Sequence, residues 1–309
     1  MTTALLTHSA CLSHDPGPGH PERIERLDAV LAALSEENFP ALLRIEAPRA
    51  TVEQLTAVHD PAYVDEILSI DVQVGEMRAL DADTIVSDGS VEAALRAAGG
   101  AVAAVDLVME GRARNAFVAT RPPGHHAEPG RAMGFCLFNS VAVAAHHARN
   151  RWGLKRVAGA DFDVHHGNGT QAAFWNDADL CFVSSHQGPY YPGTGTVDET
   201  GAHGNITNVP LAADSGSDAF RKAWQRTLLP ALEAFGPELL IVSAGFDAHR
   251  EDPLAQLRLE TEDFGWITSQ LAEIADRCAS GRMISVLEGG YDLDALAASC
   301  AEHVRTLQG

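Results

Sequence analysis

Cysteine is scarce in this chain, and its pattern excludes two frameworks at once. The five cysteines (Cys11, Cys136, Cys181, Cys278 and Cys300) are widely spaced, odd in number and include no C-x-x-C pair. That argues against both a disulfide scaffold and a thiolate metal site. Positive charge is also in short supply. Lys and Arg number 22 against 42 Asp and Glu, a formal net charge of −20. Such a field disfavours nucleic-acid backbones and draws cationic substrates. No apolar run approaches a membrane span, and the opening MTTALLTHSACLSHD has neither a basic n-region nor a long apolar core. Linkers, charge blocks, repeats and low-complexity tracts are missing too. The expectation is one soluble, cytoplasmic domain over residues 1–309, with no membrane partner and no direct contact with nucleic acid.

What is present alternates between strand and helix patterns, as in an α/β domain with a central, mostly parallel sheet flanked by helices on both faces. Short apolar or β-branched runs predict strands at Ala4–Thr7, Ala116–Thr120, Arg156–Phe162, Leu180–Ser184, Ile206–Val209, Leu239–Ser243 and Met283–Leu287. Helix-like stretches fall at Pro21–Leu34, Val91–Met109, Ser140–Arg149, Ser217–Phe235, Glu262–Asp276 and Asp292–Leu307. The polar, Gly-rich segments RPPGHH (121–126), DFDVHHGN (161–168), SHQGPYYPGTG (185–195), AGFDAH (244–249) and EGGY (288–291) each follow a strand. Open α/β sheets bind ligands beyond the carboxyl ends of their strands, so these segments are expected to converge on one site.

Within the second of them Asp161, Asp163 and His165 alternate with Phe162 and Val164, which puts the polar groups on one face of an extended backbone. Two carboxylates and an imidazole at a buried strand end call for a cation, or else form a local hydrogen-bonded cluster. Asp247, beyond a different strand, favours the cation. The nitrogen and oxygen donors of Asp163, His165 and Asp247 suit a catalytic zinc with open positions, although iron(II) and other divalent metals accept the same set. His146-His147, on a helix-like stretch, read as polar surface.

Taken together and in this order, HPERIER (20–26), RPPGHHA, GFCLFN, DFDVHHGNGT, YYPGTG, AGFDAH and EGGYD resemble the histone deacetylase family, in its class II-like branch within the arginase–deacetylase fold. The resemblance spans nearly the whole chain. It implies one Zn²⁺ held by Asp163, His165 and Asp247. His126 becomes the general base toward the attacking water and then the acid toward the leaving amine, a role suited to an imidazole. His125 assists electrostatically, oriented by Asp161, while Asn168 orients His126 where other branches carry aspartate. Tyr291 donates to the developing oxyanion. Gly134, Phe135 and Tyr191 line the tube for the four-carbon stem of acetyl-lysine, and Arg26 marks the acetate exit.

Leu254 stands where polyamine-directed relatives carry a glutamate, so acetyl-lysine-type amines are favoured as substrates over acetylpolyamines or other small acylamides. Asp161 and Ser184 match a structural potassium site. Gly167 and His249 occupy the positions where dimanganese relatives have further carboxylates, which implies a single ion. Asp83 and Asp88 fall near the rim loop without a secure alignment. A non-catalytic acyl-lysine binding module is the rival of another class, and its mark would be loss of a ligand, of His126 or of Tyr291; all are kept.

Overall fold

The computed structural model describes residues 2–309. Among the described residues there are ten strands: β1 (Thr3–Thr7), β2 (Leu43–Glu46), β3 (Arg78–Ala79), β4 (Ile85–Val86), β5 (Asn115–Val118), β6 (Val157–Asp161), β7 (Leu180–Gln187), β8 (Ile206–Leu211), β9 (Leu239–Ala244) and β10 (Met283–Leu287). Eight of them form one sheet in the order β2-β1-β5-β10-β9-β6-β7-β8, and every neighbouring pair is parallel. The short β3–β4 pair is separate and antiparallel.

Helices close both faces, because strands buried on both sides need cover from above and below. On one face Leu5, Phe117 and Val242 pack with α1 (Glu25–Ala33), α9 (Thr261–Cys278) and α10 (Leu293–Gln308). On the other, Ala4, Leu6, Ala116, Val118 and Ile241 meet α4 (Ser90–Met109) and α5 (Ser140–Trp152). Alternate residues of single strands thus enter opposite cores, as the period of two requires. Shorter helices α2 (Val52–Thr56), α3 (Pro61–Leu68), α6 (Asn168–Phe174), α7 (Ser217–Ala223) and α8 (Leu229–Phe235) complete the chain. No helix among the described residues is long and apolar enough to cross a membrane. All five cysteines are free.

The predicted strands and long helices are all there, with shifted ends. Helix α1 begins at Glu25 rather than Pro21, because Glu22 is drawn into a buried ion cluster with Arg26 and Arg121. The predicted helix 217–235 is interrupted by a π-turn at Trp224–Leu228. Pro230, at the start of α8, lacks the N–H that a regular α turn would use there, so the chain widens by one residue before resuming. Strand β2, like the short β3–β4 pair, lies outside the seven expected strands. It is an edge strand with the mixed sequence LRIE, which carries no apolar run. Strand β7 extends to Gln187 because β8 pairs with it as far as Leu211.

Candidate active site

The sheet order explains why the motifs meet. The strands that precede them are β5, β10, β9, β6 and β7, five consecutive neighbours, and each motif leaves at a carboxyl end. Chain positions as far apart as 125 and 288 therefore touch.

At the centre Asp163, His165 and Asp247 each turn one donor atom inward, all within 4.8 Å of one another. The His165 Nδ1 lies 3.2 Å from Asp163 Oδ1 and 3.0 Å from Asp247 Oδ2. Backbone amides hold the carboxylates from behind. The N–H of Gly289 donates to Asp163 Oδ2 at 2.8 Å, and that of Val164 to Asp247 Oδ1 at 2.8 Å. Burial would depress the His165 ring, but hydrogen bonds to Asp163 and Asp247, with their charges, raise it to about 10. A positive centre is thus favoured between the two carboxylates. Burial and the adjacent Asp163 charge push Asp247 up to about 7. A divalent cation would relieve that repulsion, so the donor set fits a metal.

Neither Gly167 nor His249 supplies a further carboxylate beside this centre. A Cβ at Gly167 would overlap Asp161 Oδ2, so no side chain fits there. His249 faces away, with Nε2 3.3 Å from Thr261 Oγ1 and its ring stacked on Phe264.

Beside the ligands, the two histidines of the 121–126 turn differ sharply. His125 Nδ1 is 2.9 Å from Asp161 Oδ2. Burial opposes its charge, but Asp163 and Asp161 outweigh burial and carry it to about 10, so the ring is cationic. His126 Nδ1 is 2.8 Å from the Asn168 Oδ1 acceptor. Burial foremost, with the charge of His125 beside it, holds it well below its ordinary value, so it stays neutral. With the proton on Nδ1, the Nε2 lone pair of His126 is free. Asn168 is itself fixed by donating to Glu128 Oε1 at 2.8 Å.

Tyr291 lines the same cavity as His126. Burial raises its phenol well above the ordinary value despite the nearby Arg26, so it remains an O–H donor. The Arg26 guanidinium sits 4.7 Å from its ring centroid and donates to the carbonyls of Gly290 and Glu288 at 2.5 and 2.6 Å. A narrow cavity of about 70 Å³ is lined by Asp83, His126, Gly134, Phe135, His165, Tyr191, Leu254 and Tyr291. The three predicted lining residues, Gly134, Phe135 and Tyr191, are therefore brought together there with Leu254. Gly134 and Phe135 both have positive φ, at 55° and 69°, and a Cβ on Gly134 would overlap the His126 ring. Only glycine allows that approach.

Other residues fall outside the expectations. Asp83 reaches the mouth whereas Asp88 is exposed and lies away from the lining. Tyr190 stacks on His165 with centroids 5.7 Å apart, and its hydroxyl bonds the Leu254 carbonyl. Asp252 accepts from the Tyr291 and Leu254 amides at 2.7 and 2.9 Å. Both were unassigned in the sequence, although Asp252 opens the same DPL segment that supplied Leu254. Ser184 neighbours Asp161 across β6 and β7, and its hydroxyl is shared with His186 Nδ1 at 2.9 Å. His146 and His147 sit on α5 away from the site, partly buried rather than plain surface, and His147 pairs with Asp106 at 2.8 Å.

Comparisons with known proteins point the same way. The profile of the histone deacetylase domain matches residues 20–307. The histone deacetylase-like amidohydrolase of Pseudomonas aeruginosa is 39% identical, across 94% of this chain and 81% of that protein. A probable deacetylase of Archaeoglobus fulgidus is 35% identical, across 95% and 82%. The crystal structure of the HDA15 HD domain superposes with a TM-score of 0.91 at 36% identity, covering 99% of this chain and 88% of that one.

Proposed function

The chain belongs to the histone deacetylase family, and from that premise we propose that it is a zinc-dependent deacetylase removing acetyl groups from lysine-like amines. Hydrolysis of amide bonds is the family's chemistry. The observation that carries the finer reading is the coexistence of a three-donor cation site, a neutral His126 and a protonated Tyr291 around one narrow cavity.

Asp163, His165 and Asp247 would hold the ion. A zinc ion so bound would polarise the acetyl carbonyl and make the attacking water more acidic. The chain's own groups do the rest. His126 Nε2 takes a proton from the water as the new C–O bond forms. Its Nδ1–H, anchored on Asn168, keeps the ring in that tautomer. His125, oriented by Asp161, assists electrostatically as negative charge builds on the carbonyl oxygen. Tyr291 Oη–H donates to the carbonyl oxygen as it becomes an oxyanion. The proton on His126 then passes to the amine nitrogen, the C–N bond breaks, and acetate and free amine remain. Arg26, behind Tyr291, supports acetate departure.

Phe135 and Tyr191 suit the apolar stem of an unbranched amine. Leu254 itself offers a second ammonium no partner, where polyamine-directed relatives carry a glutamate, and this supports acetyl-lysine over acetylpolyamines. Asp83, also at the mouth, supports a hydrogen bond to a substrate backbone. The pairing of Asp161 with Ser184 on adjacent strands supports a structural potassium ion there. A cytoplasmic location agrees with the five unpaired cysteines.

The test is steady-state hydrolysis of an acetyl-lysine peptide, acetylputrescine and acetylspermidine by zinc-loaded protein, with Asp163→Ala as blank and metal content measured. A large preference for the polyamines sinks the substrate assignment. Activity retained by the blank sinks the metal assignment, and inertness on every acylamine revives a binding module.

A further inference from the structure

We propose that Glu288 is a positioning residue, locking the turn that carries His125 and His126 to the loop that carries Tyr291. The proposal rests on the deacetylase reading above. Glu288 stands one residue beyond β10, and its side chain is fully buried. Its carboxylate partners are all neutral. The Oε2 accepts from the consecutive amides of Gly124 and His125 at 2.7 and 3.1 Å, and Oε1 lies 3.3 Å from the Ser243 hydroxyl.

Burying a carboxylate without a direct cationic partner is unfavourable. Here burial pushes the group up to about 7 against the pull of His125 and the two amides. A core position serving packing alone would be better filled by leucine or methionine. What the carboxylate supplies is two acceptor directions at a place where two buried N–H groups need them; leaving one unpaired costs about 1–3 kcal/mol.

The location gives those bonds their consequence. Strand β10 lies between β5 and β9, so Glu288 sits between the loops that follow both. Its own amide donates to the Ala244 carbonyl at 3.0 Å, and its carbonyl accepts from Arg26 at 2.6 Å. The next residue, Gly289, donates to Asp163. The backbone of Glu288 is thus pinned within the Tyr291 loop, and only its side chain crosses to the histidine turn. Displacement of a catalytic group by about 1 Å can lower turnover about 100-fold. Glu288 touches no substrate atom, so its effect is on placement.

Three variants test this in the zinc-loaded protein. Glu288→Gln keeps one acceptor oxygen for both amides and can donate to Ser243, so it should hold kcat within about threefold. Glu288→Asp falls short of the turn by one methylene, and Glu288→Met fills the space without an acceptor. Each should lose about 10- to 100-fold in kcat with KM within about twofold. Hydrogen–deuterium exchange should quicken at the amides of residues 124–127 in both, with zinc content unchanged. The proposal is overturned if Glu288→Gln falls as far as Glu288→Asp, if kcat survives in Glu288→Asp, or if exchange at 124–127 does not change. Exchange is read without any substrate. A protein inert on acetyl-lysine would refute the deacetylase reading while leaving the clamp itself measurable.

Discussion

Replacing Tyr291 by phenylalanine isolates a single oxygen. The ring's surroundings stay as they are: Arg26 4.7 Å from the centroid on one side and Phe135 6.0 Å away, edge-on, on the other. The backbone amide remains on Asp252. The phenol's strongly raised pKa means the wild-type group is neutral, so no charge is lost with it. Folding stability should therefore shift by less than about 1 kcal/mol. Turnover should not escape so lightly. Loss of one donor aimed at a developing oxyanion typically costs about 100- to 1000-fold in kcat, or about 2.7–4 kcal/mol. The tube formed by Gly134, Phe135, Tyr191 and Leu254 is untouched, so KM should change by less than about threefold. Measuring kcat and KM on an acetyl-lysine peptide, with Tm and zinc content on the same samples, separates the possibilities. A kcat within threefold of wild type refutes the oxyanion assignment. A rise in KM at constant kcat makes Tyr291 a wall of the tube, and a large fall in Tm makes it a packing residue.

Gly245→Ala would drive a Cβ into the Asp163 carboxylate, and zinc affinity should fall about 10- to 100-fold in a chelator competition; an unchanged affinity would show that the ligand does not depend on that gap. His303 is buried among Phe117, Phe162 and Phe246, and burial lowers it to about 3. Its folded value lies below the unfolded one of about 6.5, so its contribution is intact above that pH and declines as pH falls. Between pH 7.5 and 5.5 wild type should lose about 1.4 kcal/mol relative to His303→Phe in urea unfolding, and parallel curves for the two proteins would contradict this. Leu254→Glu should move the ratio of kcat/KM for acetylspermidine over an acetyl-lysine peptide upward at least about tenfold. If the ratio holds, specificity resides in loops other than this one.

Much of the molecule was legible in the residues themselves. Strands buried on both faces are apolar along most of their length, so β6, β9 and β10 announce themselves. Metal-ligand chemistry needs particular donor atoms, so Asp163, His165 and Asp247 stand out, as do the paired histidines and the tyrosine after two glycines. Edge strand β2 and the π-turn at Trp224–Leu228 were hidden. The first is half exposed with no periodic signal, and the second answers to a single missing N–H in an otherwise helical run.

Local sequence thus determined which residue types could do chemistry and which segments would be strand or helix, because propensity and donor identity are properties of short stretches. Tertiary structure alone decided their partnership. The order β5-β10-β9-β6-β7 makes neighbours of loops more than a hundred residues apart in the chain, and no short-range pattern encodes that order. It is why Glu288 reaches Gly124 and His125. The same folding sets protonation, since the two adjacent imidazoles of one turn part company only through what surrounds them. Asp161 and Asp163 charge His125, while burial beside that charge keeps His126 neutral.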